Sequence, residues 1–279
     1  MPEMPEVETI VRRLRARIVG RRIVRVGVSG LALRRPLDGN IAERLRGRTV
    51  RKVARRGKYI VAELDPKAFW VIHLGMSGRI LYHAAPHEVS RHTHVTVRFS
   101  DGSELEYRDP RRFGFVCLYE SPQMGRIPGI AALGMDPLDR GFDGEWLAPL
   151  LEKSRQEIKP FLLDQRKVSG LGNIYACESL FRAGLHPRRR CFTITRGEAR
   201  GLADAIREVV RAAIRCRGTS FSDFVDSDGM AGGYQKRLRV FQREGKPCFR
   251  CGNTIRRLNQ GNRSSYYCPV CQKLGGGSE

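Results

Sequence analysis

Four cysteines constrain this chain more than any other feature of its sequence. Cys248 and Cys251 form one Cys-x-x-Cys, Cys268 and Cys271 form a second, and sixteen residues separate the pairs. Two thiolates from each tight knuckle complete a tetrahedral shell with no open position, so the spacing predicts one structural zinc on a β-hairpin finger. A redox role for either pair is the alternative; the duplication beside a basic hairpin carrying Arg256, Arg257 and Arg263 favours metal. Cys117, Cys177, Cys191 and Cys216 are scattered in apolar or helical surroundings and read as unpaired thiols.

The finger occupies only the end of a 279-residue chain, which leaves room for two further bodies, each with its own core. We expect domains at 1–130, 131–240 and 241–275. Val7, Ile10, Val11, Leu14 and Ile18 recur at helical spacing behind Pro5 until Gly20 ends the element. From Ile23 to about Tyr119 the period shortens to alternation, as in Val95, Val97 and Phe99, turned by Ser100-Asp101-Gly102 into Leu105 and Tyr107. Helical spacing then returns. Asn173 is placed to cap a helix that Gly184 ends, and Thr195 with Glu198 forms a capping box ahead of a long apolar stripe. The fold class is therefore α+β and multidomain: an N-terminal β-sandwich with flanking helices, then a helical domain with the four-cysteine hairpin finger. Ser227 to Gly233 is glycine-rich and reads as a mobile loop.

Lys and Arg number 51 against 29 Asp and Glu, and the resulting charge of +22 runs along the whole chain. Nucleic acid is the polyanion that suits such a surface. No stretch approaches the roughly 18 apolar residues of a membrane span, and no secretory leader is recognisable, so a cytoplasmic protein without a membrane partner is expected.

The second residue is proline, small enough for removal of the initiator methionine to be expected. A secondary amine at the chain end, titrating near pH ~7.7 to 8.0, is a usable nucleophile at neutral pH. It can attack the anomeric carbon of a nucleotide, expel the base and leave an iminium that acidifies the adjacent sugar proton. Glu3, beside it, can carry protons during ring opening.

MPEMPEVE at 1–8, RRGKY at 55–59, HLGMSG at 73–78, DPRRFG at 109–114, GLGNIYACESLFRAGLHP at 170–187 and the terminal finger appear in order along essentially the full chain. This set resembles the formamidopyrimidine-DNA glycosylase family; Met4 stands where the family usually has Leu, a volume-conserving change. The resemblance implies a bifunctional enzyme of base excision repair, a likeness that makes Pro2 the Schiff-base nucleophile, Glu3 its proton-transfer partner, and Lys58 and Arg263 assistants of the strand-cleaving steps. It further implies double-stranded DNA containing oxidised bases as the partner of a monomeric protein. Met76, Arg111 and Phe113 resemble the residues that fill the gap left by an everted base. His92, Arg112, Arg155, Lys159 and Asn173 are expected at phosphates, with a helix-two-turns-helix motif at 170–173 offering backbone amides; at 153–155 the pattern is looser, and Arg155 takes the contact expected of a basic residue at Ser154.

Three other readings stay open on the sequence alone. An endonuclease VIII-like relative would prefer oxidised pyrimidines, a non-catalytic module would bind lesions without nicking, and a ribosomal or RNA-binding zinc protein would leave the amino-terminal motif unexplained.

Overall fold

The computed structural model describes residues 2–120, 123–221 and 224–274. Met1, the initiator methionine whose removal the sequence predicts, and Gly275, at the two ends of the expected domains, lie outside them. The chain forms two compact units, Met1–Ala132 with Ile214–Gln235, and Leu133–Ala213 with Lys236–Glu279. The expected 131–240 grouping differs from this division, because the segment from Ile214 onward returns to the first unit. Among the described residues no helix is long and apolar enough to cross a membrane.

The first unit is a β-sandwich. Helix α1 (Met4–Ile18) buries Val7, Ile10, Val11, Leu14 and Ile18 to 1% exposure or less, the stripe read from the sequence. Each such side chain contributes about 1.5–3 kcal/mol of burial. One sheet has the order β1-β6-β7-β5, built from Ile23–Val28, Thr93–Phe99, Glu104–Arg108 and Arg79–His83. The other runs β2-β3-β4-β8, from Thr49–Arg56, Tyr59–Asp65, Ala68–His73 and Phe115–Tyr119. Both sheets, α1 and the short helix α2 (Ile41–Leu45) share one core, to which Val53, Ile60, Trp70, Val97, Phe99 and Tyr107 belong. The expected β6–β7 hairpin is present, its turn closed by Gly102 at φ +86°. Phe224, from the returning segment, completes the same core.

The second unit is helical, with α3 (Gly144–Glu152), α4 (Ile158–Leu163), α5 (Asn173–Ala183) and the first part of α6 (Arg196–Arg215). Asp143 caps α3 through its Oδ1, which accepts from Trp146 N at 2.9 Å. Thr195 and Glu198 form the predicted box: Thr195 N donates to Glu198 Oε2 at 2.9 Å and Glu198 N to Thr195 Oγ1 at 3.2 Å. Gly184 closes α5 at φ +74°. The start of α5 differs from expectation by one residue, since Gly172 occupies the N-cap and Asn173 is already helical. Buried Glu178 of α5 accepts from the amides of Arg239, Val240 and Phe241 at 2.9 to 3.0 Å, which anchors the approach to the finger; burial pushes its carboxyl up while these donors pull it back. Strands β9 (Arg256–Gln260) and β10 (Arg263–Tyr267) pair as an antiparallel hairpin.

Candidate active site and nucleic-acid interface

Pro2 and Glu3 precede α1 and are buried in the first unit. Glu3 sits at the N-cap, and its amide donates to Glu6 Oε2 at 2.8 Å. The other oxygen of Glu6, Oε1, accepts from Thr219 N at 2.7 Å. One buried carboxylate thus ties the start of the chain to the segment that returns near residue 219. Gly218 is required there, because its φ is +83° and a Cβ would lie 2.6 Å from Glu6 Oε1.

Lys58 lies in the turn between β2 and β3, where Gly57 adopts φ +54°. Its side chain is 9% exposed. Arg55 holds this turn: its Nε donates to Glu8 Oε2 at 2.9 Å and its Nη1 to the Gly57 carbonyl at 3.1 Å. The guanidinium that pins the turn therefore also grips the helix whose first turn follows Glu3.

His73, which the sequence reading passed over, belongs to this neighbourhood. Its ring stacks on Phe115 at 5.5 Å, and Gly75 N donates to its Nδ1 at 3.1 Å. Burial, then the positive charge of Lys58, Arg34 and Arg35, pushes its pKa from 6.5 down to about 4. A neutral imidazole adds no further charge beside Lys58, Arg34 and Arg35. The linkage has a definite sign: the folded protein binds this proton less readily than the unfolded chain, so stability is complete above pH 6.5 and is lost as pH falls towards about 4. We expect about 2 kcal/mol of this loss by pH 5. Urea unfolding midpoints at pH 7 and pH 5 check it, because a His73→Gln variant should lose the corresponding part of the slope; an unchanged slope would contradict the assignment.

Met76, Arg111 and Phe113 come together. Met76 is 41% and Phe113 43% exposed, unusual for large apolar side chains, and the Arg111 guanidinium lies 4.7 Å from the Phe113 ring. Fully buried Asp109 joins the two loops. Its Oδ1 accepts from Ser77 Oγ at 2.6 Å, and its Oδ2 from Tyr107 Oη at 3.1 Å and Gly114 N at 2.8 Å. Gly75, at φ +59°, packs so closely that a Cβ would lie 2.4 Å from the Phe113 carbonyl carbon. His92 joins the same rim, since its carbonyl accepts from Asp109 N at 3.0 Å. Arg112 is exposed in the left-handed region at φ +56°, an uncommon conformation for a residue other than glycine.

In the second unit, Arg263 is exposed at the tip of the hairpin, just after a two-residue turn in which Gly261 adopts φ +56°. The next residue is held firmly: the Ser264 carbonyl accepts from Lys159 Nζ at 3.0 Å and from Asn173 Nδ2 at 3.1 Å. Lys159, expected at a phosphate, also donates to Ser265 Oγ at 2.6 Å and is fully buried, where it fastens α4 to the finger. The amide of Asn173 fastens α5 to the same carbonyl. Arg155 is exposed, whereas Ser154 is buried.

The four finger cysteines fit one structural zinc. Zinc–thiolate bonds of about 2.3 Å in a tetrahedron separate neighbouring sulfurs by about 3.8 Å. Cys248 and Cys271 Sγ lie 3.9 Å apart, and Cys251 and Cys268 Sγ 3.5 Å. Backbone amides support the sulfurs, Arg250 N donating to Cys248 Sγ and Cys271 N to Cys268 Sγ, both at 3.4 Å. Of the remaining cysteines, Cys191 is buried and its thiol is pushed up to about 11, an unreactive setting.

Comparison with known proteins agrees with this geometry. The formamidopyrimidine-DNA glycosylase N-terminal domain matches residues 1–116, the H2TH domain of the same enzymes 133–225, and the zinc finger found in FPG and IleRS 245–274. The formamidopyrimidine-DNA glycosylase of Pelotomaculum thermopropionicum is 43% identical over 275 residues, 98% of this chain and 100% of that protein. The crystal structure of MutM (Fpg) from Thermus thermophilus superposes with a TM-score of 0.87 at 37% identity, covering 99% of this chain and 100% of the other. Wild-type Lactococcus lactis Fpg in complex with DNA containing N7-benzyl-Fapy-dG gives 0.88 at 33% identity, over 98% and 100%. Sandwich, helical unit and four-thiolate hairpin together define a DNA glycosylase of the zinc-finger type. The chain belongs to the formamidopyrimidine-DNA glycosylase family.

Proposed function

We propose that this chain excises oxidised purines, 8-oxoguanine and formamidopyrimidines, from duplex DNA and then cuts the strand on both sides of the emptied sugar. The observation that carries the reading is the buried Pro2–Glu3 start, fastened through Glu6 and flanked by the Arg55-pinned turn that bears Lys58. In this mechanism the Pro2 nitrogen bonds to C1′ as the glycosidic bond breaks and the base leaves. Glu3 protonates the sugar oxygen as the ring opens, and the iminium acidifies C2′–H for loss of the 3′ phosphate, then the 5′ phosphate. Lys58 and Arg263 assist these eliminations; Arg263 does so from the finger.

Eversion of the base leaves a gap, and the exposed Met76, Arg111 and Phe113 suit it: two apolar wedges and one fork of donors for the orphaned partner base. His92, Arg112 and Arg155 meet phosphates. Asn173 and the buried Lys159 act at one remove, by setting the finger from which Arg263 reaches out. As in the sequence reading, the working division is 1–130, 131–240 and 241–275, the protein acts as a monomer, and its place is the bacterial cytoplasm, on the nucleoid.

Two oligonucleotides test the lesion class. Duplex with 8-oxoguanine opposite cytosine should be nicked at least about tenfold faster than duplex with thymine glycol, the discrimination that about 1.4 kcal/mol supplies. The reverse order would transfer the chain to the pyrimidine-preferring branch, and tight binding without nicking would make it a non-catalytic module.

A further inference from the structure

The outer face of the β1-β6-β7-β5 sheet carries a second group of metal-ligand side chains, far along the chain from the finger cysteines. His83 ends β5, His87 lies in the loop that follows, and Glu106 stands on β7. His83 Nε2 is 3.3 Å and His87 Nε2 3.2 Å from the same atom, Glu106 Oε2. The two imidazoles stack in parallel, centroids 3.4 Å apart. Their ligand atoms lie within 4.8 Å of one another.

We propose that His83, His87 and Glu106 form a binding site for a borderline divalent cation of the zinc, cobalt or nickel kind. Four arguments support it. First, nitrogen and oxygen ligands at about 2.0–2.1 Å in a tetrahedron lie about 3.3–3.4 Å apart, the spacing found here and long for a hydrogen bond. Second, Glu106 has more donors around it than a carboxylate can accept. Thr93 Oγ1, Ser90 Oγ and Arg108 Nε surround Oε1, while Arg108 Nη2 at 3.0 Å and both imidazoles surround Oε2. A carboxylate offers about four lone-pair sites. Six neighbours exceed those sites, and a cation seated between the two imidazoles and Oε2 would relieve the excess. Third, His87 Nδ1 lies 3.0 Å from Glu104 Oε2, the carboxylate pairing that commonly supports a metal-bound histidine. Fourth, the two imidazoles are partly exposed, which gives a cation a path in and a water the fourth position.

Arg108 and Arg98 balance the two carboxylates, so the affinity is set below that of a four-thiolate finger. Occupancy clips the loop after β5 to the sheet, just ahead of His92 on the rim. The site is borderline in character because two imidazoles join one carboxylate; magnesium, which prefers oxygen, is a poor match.

Cobalt(II) titrated into zinc-loaded full-length protein tests this. One further equivalent should bind, with visible d–d bands but without the near-ultraviolet sulfur charge transfer of a cysteine site. His83→Ala/His87→Ala should abolish that uptake, with an unchanged metal-free melting temperature. Glu104→Gln, which keeps the three ligands but removes the carboxylate behind His87 along with its pairing to Arg98, should weaken it about 10- to 100-fold. No uptake beyond the finger, uptake that is purely sulfur-bound, or equal uptake by the double variant would each overturn the site.

Discussion

Extending the chain by one residue ahead of Pro2, or retaining Met1, is expected to abolish base release and strand cleavage together, by at least about 10⁴-fold, the scale on which removal of a nucleophile acts. An amide nitrogen has its lone pair delocalised into the carbonyl and has none to give C1′. Borohydride trapping gives the decisive readout. The processed protein should form a covalent adduct with damaged DNA, the extended one none, while both bind the duplex. A Pro2→Gly protein, which keeps a terminal amine, should still trap a trace. An extended chain that cuts at the normal rate would refute the amine mechanism outright.

Removing zinc is expected to have the second largest effect. Apparent binding energies of four-ligand fingers reach about 10–16 kcal/mol, which is the folding energy of the hairpin itself. Its loss releases the Ser264 carbonyl from Lys159 and Asn173 and takes two hydrogen-bond acceptors from the buried Lys159 side chain. Arg263 is lost from its position in the same event. Chelation, or Cys268→Ser, should therefore reduce duplex affinity by at least about 100-fold and flatten its dependence on salt, with the β-sandwich still folded. Restored zinc should restore nicking after chelation. Full nicking by metal-free protein would show that the finger is dispensable.

Much of this architecture is legible from local sequence. The α1 stripe, the Val95–Phe99 hairpin and the Thr195–Glu198 box are short-range patterns, and their partners lie within one element or one turn. The finger cysteines announce their chemistry by spacing. Lys159 illustrates the limit: a lysine beside other basic residues reads as a phosphate contact, yet two acceptors more than a hundred positions onward draw it into the interior. Asn173 is displaced from its expected cap for the same reason, as its amide is engaged by Ser264. His73 gave no signal at all, because its low basicity arises from burial and then from Lys58, Arg34 and Arg35, surroundings that only the folded chain creates. Likewise His83, His87 and Glu106 meet through sheet register, with Leu81 opposite Glu106 and His83 opposite Glu104. Nothing in their linear order reveals that meeting.

The segment Ile214–Gln235 makes the polypeptide cross from one body to the other and back before it ends. The gene consequently cannot be divided by a single cut into two self-sufficient products. A fragment stopping at 132 would lack Phe224 from its interior, the Thr219 amide for Glu6 and the Ser227 carbonyl that receives Tyr82 N at 2.8 Å. A minimal sandwich would have to keep that returning strap, joined to it by some shorter path.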